Sequence, residues 1–184
     1  GQGRVLGGVV VGRKDLMKEL MFFIRHTGPA MSPFNAWTLS KSLETLAVRM
    51  DRHCSNALKV AETLEQHPEV ELVRYPFLPS HPQYELAKRQ MKQGGGIVTF
   101  IVKGGFERAK RFMDALQMIR LSPNLGDTRS IATHPASTTH SKLSDAERTQ
   151  IGISPGSIRI SVGLEDVDDI LSDLTEALTN SING

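Results

Sequence analysis

The chain has 184 residues, 39% of them hydrophobic and 23% charged, the balance of a globular protein that can bury a core without disulfide or metal staples. Its formal net charge of +2 comes from interleaved acids and bases, and only 5% of residues are aromatic, so neither a nucleic-acid surface nor a base-stacking platform is indicated. Cys54 is the only cysteine, which excludes an intramolecular disulfide and fits a reducing cytoplasm, and no apolar run is long enough to cross a bilayer.

Gly1 to Gly8 has neither a basic region nor an apolar core of secretory type, and Gly1 does not look like a natural start. The chain is therefore expected to be cut from something longer. Arg4 to Val11 is short and β-branched and predicts a strand buried on both faces, as in a parallel sheet. Leu16, Met17, Leu20, Phe23 and Ile24 recur at helical spacing until Gly28-Pro29. Ser32-Pro33 reads as a helix start, with Ser as N-cap and Pro in the first turn. From there to Gln66 no Pro or Gly intervenes after Pro33, so one long helix or two in series is predicted.

A second grammar follows. Val70 to Tyr75 reads as a strand, Gln83 to Gln93 as a helix and Ile97 to Val102 as a strong strand. Phe106 to Met118 is amphipathic, and Ile119 to Leu121 predicts a short strand. Pro123 to Lys142 is polar and aperiodic, a segment to be held by contacts rather than by its own secondary structure. Ser144 and Glu147 have capping-box spacing. Ile158, Ile160 and Val162 share one strand face while Arg159 and Ser161 take the other, and Asp166 to Leu178 closes as a helix. The order suits an α/β chain in two parts. Residues 1–50 read as the tail of another layer, and residues 51–184 as a small, largely antiparallel sheet with helices mainly on one face.

Several motifs read most simply as structure. Gly1-Gln2-Gly3 with Gly7-Gly8 misses dinucleotide spacing, because Leu6 stands where the third glycine belongs. Gly94 to Gly96 could cradle an anion, but a turn before Ile97 is the plainer reading. Cys54 has His53 and Arg52 beside it, yet sequence neighbours on a helix point in different directions. The six histidines lack metal-ligand spacing, and Ser137 lacks the G-x-S-x-G setting of a hydrolase nucleophile. Two features resist dismissal. One is the polar stretch through Ser122 to Asp127 and Thr133 to His140. The other is Arg159, whose guanidinium fork on a strand face suits a carboxylate.

These stretches resemble the Cys/Met-metabolism family of pyridoxal-phosphate enzymes. The matching segments include Leu6-Gly7-Gly8, Ser32-Pro33-Phe34-Asn35-Ala36-Trp37, Leu43 to Leu46, and Leu78 to Pro82. They continue with Asn124-Leu125-Gly126-Asp127, Thr133 to Ala136 with Thr139-His140, and Arg159 to Asp166. Asn124, where most members carry Ser, is similar to the O-succinylhomoserine sulfhydrylase branch. The resemblance covers essentially the whole chain. It implies the C-terminal part of a fold type I transferase, with a remnant of the large cofactor domain at 1–50. It implies that Arg159 binds the substrate α-carboxylate, with Asn124 and Leu125 beside it.

The resemblance further implies pyridoxal phosphate held by a lysine that would precede Gly1, so no catalytic residue is expected in this chain, and no metal. Lys14 and Lys18 do not fit that motif, and the isolated chain should be inert. The implied reaction is replacement of succinate on O-succinylhomoserine by sulfide, in a cytoplasmic homo-oligomer. Cystathionine γ-synthase or γ-lyase chemistry, and a non-catalytic assembly module, are the alternatives.

Overall fold

A computed structural model of the chain describes residues 3–182, so Gly1 and Gln2 of the first glycine cluster lie outside the described residues. The chain divides into two units, Gly1–Ala47 and Val48–Gly184.

In the first unit, helix α1 spans Lys14–Thr27 and ends on Gly28, whose φ of 82° is the left-handed conformation that glycine adopts without penalty. Helix α2, Pro33–Leu43, starts where the sequence places it: the Ser32 hydroxyl accepts the Asn35 N–H at 3.1 Å. The chain then turns at Glu44 and Thr45, and α3 begins at Leu46 and runs to Glu65, so the predicted helical stretch is two helices. Arg4 to Val11 corrects the sequence reading, because it pairs with no strand among the described residues. Val9 and Val11 are each 86% exposed. β-branched composition supplies side chains that suit a buried sheet, but a strand exists only where a neighbour takes its N–H and C=O groups.

The second unit is a five-stranded sheet in the order β1-β2-β5-β4-β3. Strands β1 (Val70–Arg74), β2 (Ile97–Val102), β5 (Ser157–Ser161) and β4 (Ile131–Thr133) pair antiparallel, and β3 (Arg120–Leu121) joins β4 in parallel. Between them come α4 (Tyr84–Gln90), α5 (Gly105–Ala115), a 3-10 turn at Pro135–Ser137, α6 (Asp145–Gln150) and, closing the unit, α7 (Val167–Asn180). Val98, Phe100, Val102, Ile158 and Ile160 form the sheet side of the core. Ala57, Val60 and Leu64 of α3, Phe112 of α5 and Ile170 and Leu174 of α7 cover them.

One helix end and one strand are set by distant neighbours rather than by periodicity. Helix α5 stops at Ala115, because the Asp173 carboxylate takes the N–H groups of Gln117, Met118 and Ile119 at 2.8, 3.1 and 2.8 Å. Strand β4 arises inside the polar stretch that the sequence leaves aperiodic. Its three residues are all buried, held between β5 and β3. No helix among the described residues is long and apolar enough to cross a membrane.

Candidate substrate-binding face

Strand β5 is the middle strand, and its alternation sets the site. Ile158 and Ile160 point into the core, fully buried, which sends Arg159 to the opposite face. Pairing register then puts Arg159 beside Thr99 of β2 and Thr133 of β4, with Ser161 beside Ile97 and Ile131. The loop from Ser122 to Asp127, which follows β3, lies against this face. Arg159 Nη2 donates to the backbone carbonyls of Pro123 at 2.7 Å and Asn124 at 3.1 Å. Arg159 Nε is buried and has no hydrogen-bond partner among the described residues. The backbone of the loop meets the guanidinium, while Asn124 and Leu125 themselves are exposed, Leu125 by 61%.

Two further side chains fix the loop. Thr133 Oγ1 donates to the carbonyl of Ser122, and Ser161 Oγ accepts the Gly126 N–H at 2.8 Å. Gly126 has a φ of 79°, so a side chain there would strain the turn that aims its N–H at Ser161. Sequence reasoning placed Thr133 and Ser161 within matching motifs without a role, because a strand hydroxyl carries no local sign of what it will meet.

The segment after β5 is latched from both sides. Ser130 Oγ accepts the Gly163 N–H at 2.8 Å and donates to Glu165 at 3.0 Å, and the same carboxylate takes the Ser130 N–H at 2.6 Å. A Cβ on Gly163 would fall 2.4 Å from the Ser130 nitrogen, so only glycine permits this approach. From α3, His53 Nδ1 donates to the Val162 carbonyl at 2.6 Å, and Asn56 donates to the carbonyls of Gly163 and Glu165. These contacts hold the ends of β4 and β5 together and so fix where Arg159 emerges.

Other motifs take structural places. Cys54 is buried and burial pushes its thiol pKa up, the reverse of an activated nucleophile. The Tyr75 hydroxyl donates to Gly95 O at 2.9 Å, and a Cβ on Gly94 would lie 2.5 Å from the Tyr75 ring, so Gly94 makes room for a buried tyrosine that the next residue's carbonyl holds. Ser137 Oγ lies 2.9 Å from His134 Nδ1. His134 Nε2 faces the Pro155 carbonyl at 2.8 Å, so that nitrogen carries the proton and Nδ1 accepts from Ser137. The pair closes one tight turn. A cleft of about 320 Å³ opens on the α5 side of the 121–123 segment, lined by Met113, Leu121, Ser122, Pro123 and Ala132.

Residues 1–179 match the model of the Cys/Met metabolism PLP-dependent enzymes. The chain belongs to that family. It is 51% identical to the O-succinylhomoserine sulfhydrylase of Pseudomonas aeruginosa over 178 residues, which covers 97% of this chain and 44% of that protein. It is 49% identical to the L-methionine gamma-lyase of Porphyromonas gingivalis, covering 99% of this chain and 46% of the relative. A crystal structure from Campylobacter jejuni, described as an O-acetylhomoserine (thiol)-lyase carrying a pyridoxyl-lysine phosphate, superposes with a TM-score of 0.82 at 41% identity. That match covers 89% of this chain and 39% of the solved one. The chain thus spans less than half the length of these relatives, and the family to which it belongs is pyridoxal-phosphate dependent.

Proposed function

We propose that this chain is the C-terminal part of an O-succinylhomoserine sulfhydrylase and supplies the grip on the substrate's α-carboxylate. The observation that carries the reading is Arg159. It stands on the polar face of the central strand, its guanidinium held by the Pro123 and Asn124 carbonyls, and no carboxylate among the described residues pairs with it. A guanidinium on such a face binds a carboxylate through charge-assisted hydrogen bonds and fixes the orientation of Cα. Asn124 and Leu125, exposed at the loop tip, flank the bound amino acid.

Pyridoxal phosphate, when bound, supplies the electron sink for loss of protons from Cα and Cβ. By strand register the face that carries Arg159 also carries Thr99, Thr133, Ser161, Ile97, Ile131, Arg74 and Arg120, and among the described strand residues no lysine, so the residues present fit the substrate's carboxylate, and the cofactor-bearing lysine is assigned to sequence preceding this chain. On this reading the overall reaction converts O-succinylhomoserine and sulfide to homocysteine and succinate. The parent works as a cytoplasmic homo-oligomer, and the chain alone is inactive.

Arg159→Ala in the full-length protein is expected to lower kcat/KM by about 2–5 kcal/mol of lost carboxylate binding. Unchanged kinetics would place the carboxylate elsewhere. A methionine γ-lyase reading is favoured by the 49% identity to the Porphyromonas gingivalis protein, close to that of the sulfhydrylase. Turnover of O-succinylhomoserine, O-acetylhomoserine and methionine, with and without sulfide, separates these activities.

A further inference from the structure

The contacts around Arg159 leave its fork incomplete. Two parallel bonds to a carboxylate use Nη2 together with either Nε or Nη1, because only those pairs direct hydrogens the same way. Nη2 already donates to both Pro123 O and Asn124 O, while Nε is buried without a partner among the described residues. A carboxylate therefore completes a two-point grip only if one carbonyl yields its Nη2 hydrogen. The loop that carries those carbonyls has to give locally without leaving the face.

The loop is built for this. Thr133 Oγ1 ties its start through Ser122 O, and Ser161 Oγ ties its end through the Gly126 N–H at 2.8 Å. The Ser122 N–H adds a bond to Ala132 O at 3.0 Å. Behind Ser122 and Pro123 lies the 320 Å³ cleft rather than packed side chains, so the position of the loop depends on these polar ties, and the cleft gives it room to shift. Thr133 and Arg159 are direct register partners on neighbouring strands, and Ser161 is two residues further on the same face. Anchors and clamp are thus set by one rigid sheet.

We propose that Thr133 and Ser161 are positioning residues that pin the two ends of the Ser122–Gly126 loop. The Pro123 and Asn124 carbonyls then hold the Arg159 guanidinium in place before substrate arrives, and one of them releases it when the carboxylate binds. The proposal rests on the reading of Arg159 as the carboxylate clamp. Removing an anchor leaves the guanidinium poorly oriented. Carboxylate binding weakens, while the chemistry that follows is little affected, because the clamp grips substrate and transition state alike.

The test uses the full-length, cofactor-loaded protein with Thr133→Val, Thr133→Ser, Ser161→Ala and Arg159→Ala. KM for the amino-acid substrate should rise about five- to ten-fold in Thr133→Val and Ser161→Ala, the loss of one hydrogen bond's orienting effect, with kcat within about three-fold. Thr133→Ser, which keeps the hydroxyl, should restore KM. Independently of turnover, hydrogen exchange at the Gly126 amide should quicken in Ser161→Ala. In wild type, exchange at Asn124 and Leu125 should change on adding L-2-aminobutyrate, an amino acid without a γ leaving group. Unchanged KM in both anchor variants, in a protein whose Arg159→Ala variant is impaired, would overturn the anchoring role and leave the clamp standing. An unimpaired Arg159→Ala would overturn the clamp and the anchoring with it. Parallel losses of kcat and melting temperature, not rescued by Thr133→Ser, would reduce the anchors to general structural residues.

Discussion

His134 shows how a side chain in a functional-looking motif is committed by its surroundings. It is 2% exposed, packs edge-on against Phe106 with ring centroids 5.0 Å apart, and donates from Nε2 to Pro155 O. Burial pushes its pKa below the ordinary 6.5, and the positive charges of Lys110 and Arg148 push it the same way against the opposing Pro155 bond. The unfolded chain binds a proton here as pH falls through 6.5, and the folded chain does so only at lower pH. Stability contributed by neutral His134 is therefore complete above 6.5 and declines as pH falls from there through the lowered folded value. NMR titration of the His134 ring should give a midpoint below 6.5, and a midpoint above it would mean that the ring is not buried as a neutral donor. The same scale shows what a sequence conceals. Period-two alternation was enough to send Arg159 away from Ile158 and Ile160. Thr133 and Ser161 could not be singled out, because their partners in the Ser122–Gly126 loop meet them only through strand pairings with residues far away in sequence.

Elements whose signals are local were legible, and those created by neighbours were not. Ser32 caps α2, and Ser144 with Glu147 forms a reciprocal capping box at α6, both written within four consecutive residues. The segment Arg4–Val11 has the composition of a strand and no ladder, whereas Ile131–Thr133 has polar flanks and becomes a strand because β5 and β3 lie on either side. The end of α5 belongs to the second class, since it is fixed by Asp173 of α7. That carboxylate is 8% exposed and takes three consecutive backbone N–H groups. Asp173→Ala would leave all three without their acceptor, at a cost of about 2 kcal/mol that comes mainly from the buried Ile119 N–H, since those of Gln117 and Met118 are only part-buried. The exposed Asp169→Ala on the same helix should stay within about 0.5 kcal/mol. Urea unfolding of the two variants checks this, and equal midpoints would show that water replaces the carboxylate without loss.

At the scale of the whole molecule, the two units differ in how they use apolar residues. Val48–Gly184 has a continuous core in which Phe100, Phe112, Ile158 and Leu174 are fully buried. In Gly1–Ala47 neither α1 nor α2 has a buried residue, and Phe22, Phe23, Phe34 and Trp37 are 68%, 60%, 69% and 59% exposed. Apolar surface this extensive normally meets a partner, and helices as short as α1 and α2 are marginal in water without tertiary packing. The family relatives are more than twice as long as this chain, and cover for this surface is expected from the rest of such a full-length protein. Limited trypsin digestion distinguishes the units. In the isolated chain, Arg13, Lys18, Arg25 and Lys41 should be cut first, leaving a resistant fragment that contains the sheet and α7. In the full-length protein the same four bonds should be protected, with cleavage slowed at least about ten-fold, because opening the first unit there would also expose its apolar partner surface. Equal protection of both units in the isolated chain would mean that α1 and α2 are held by their own contacts, and the exposed phenylalanines would then need another explanation.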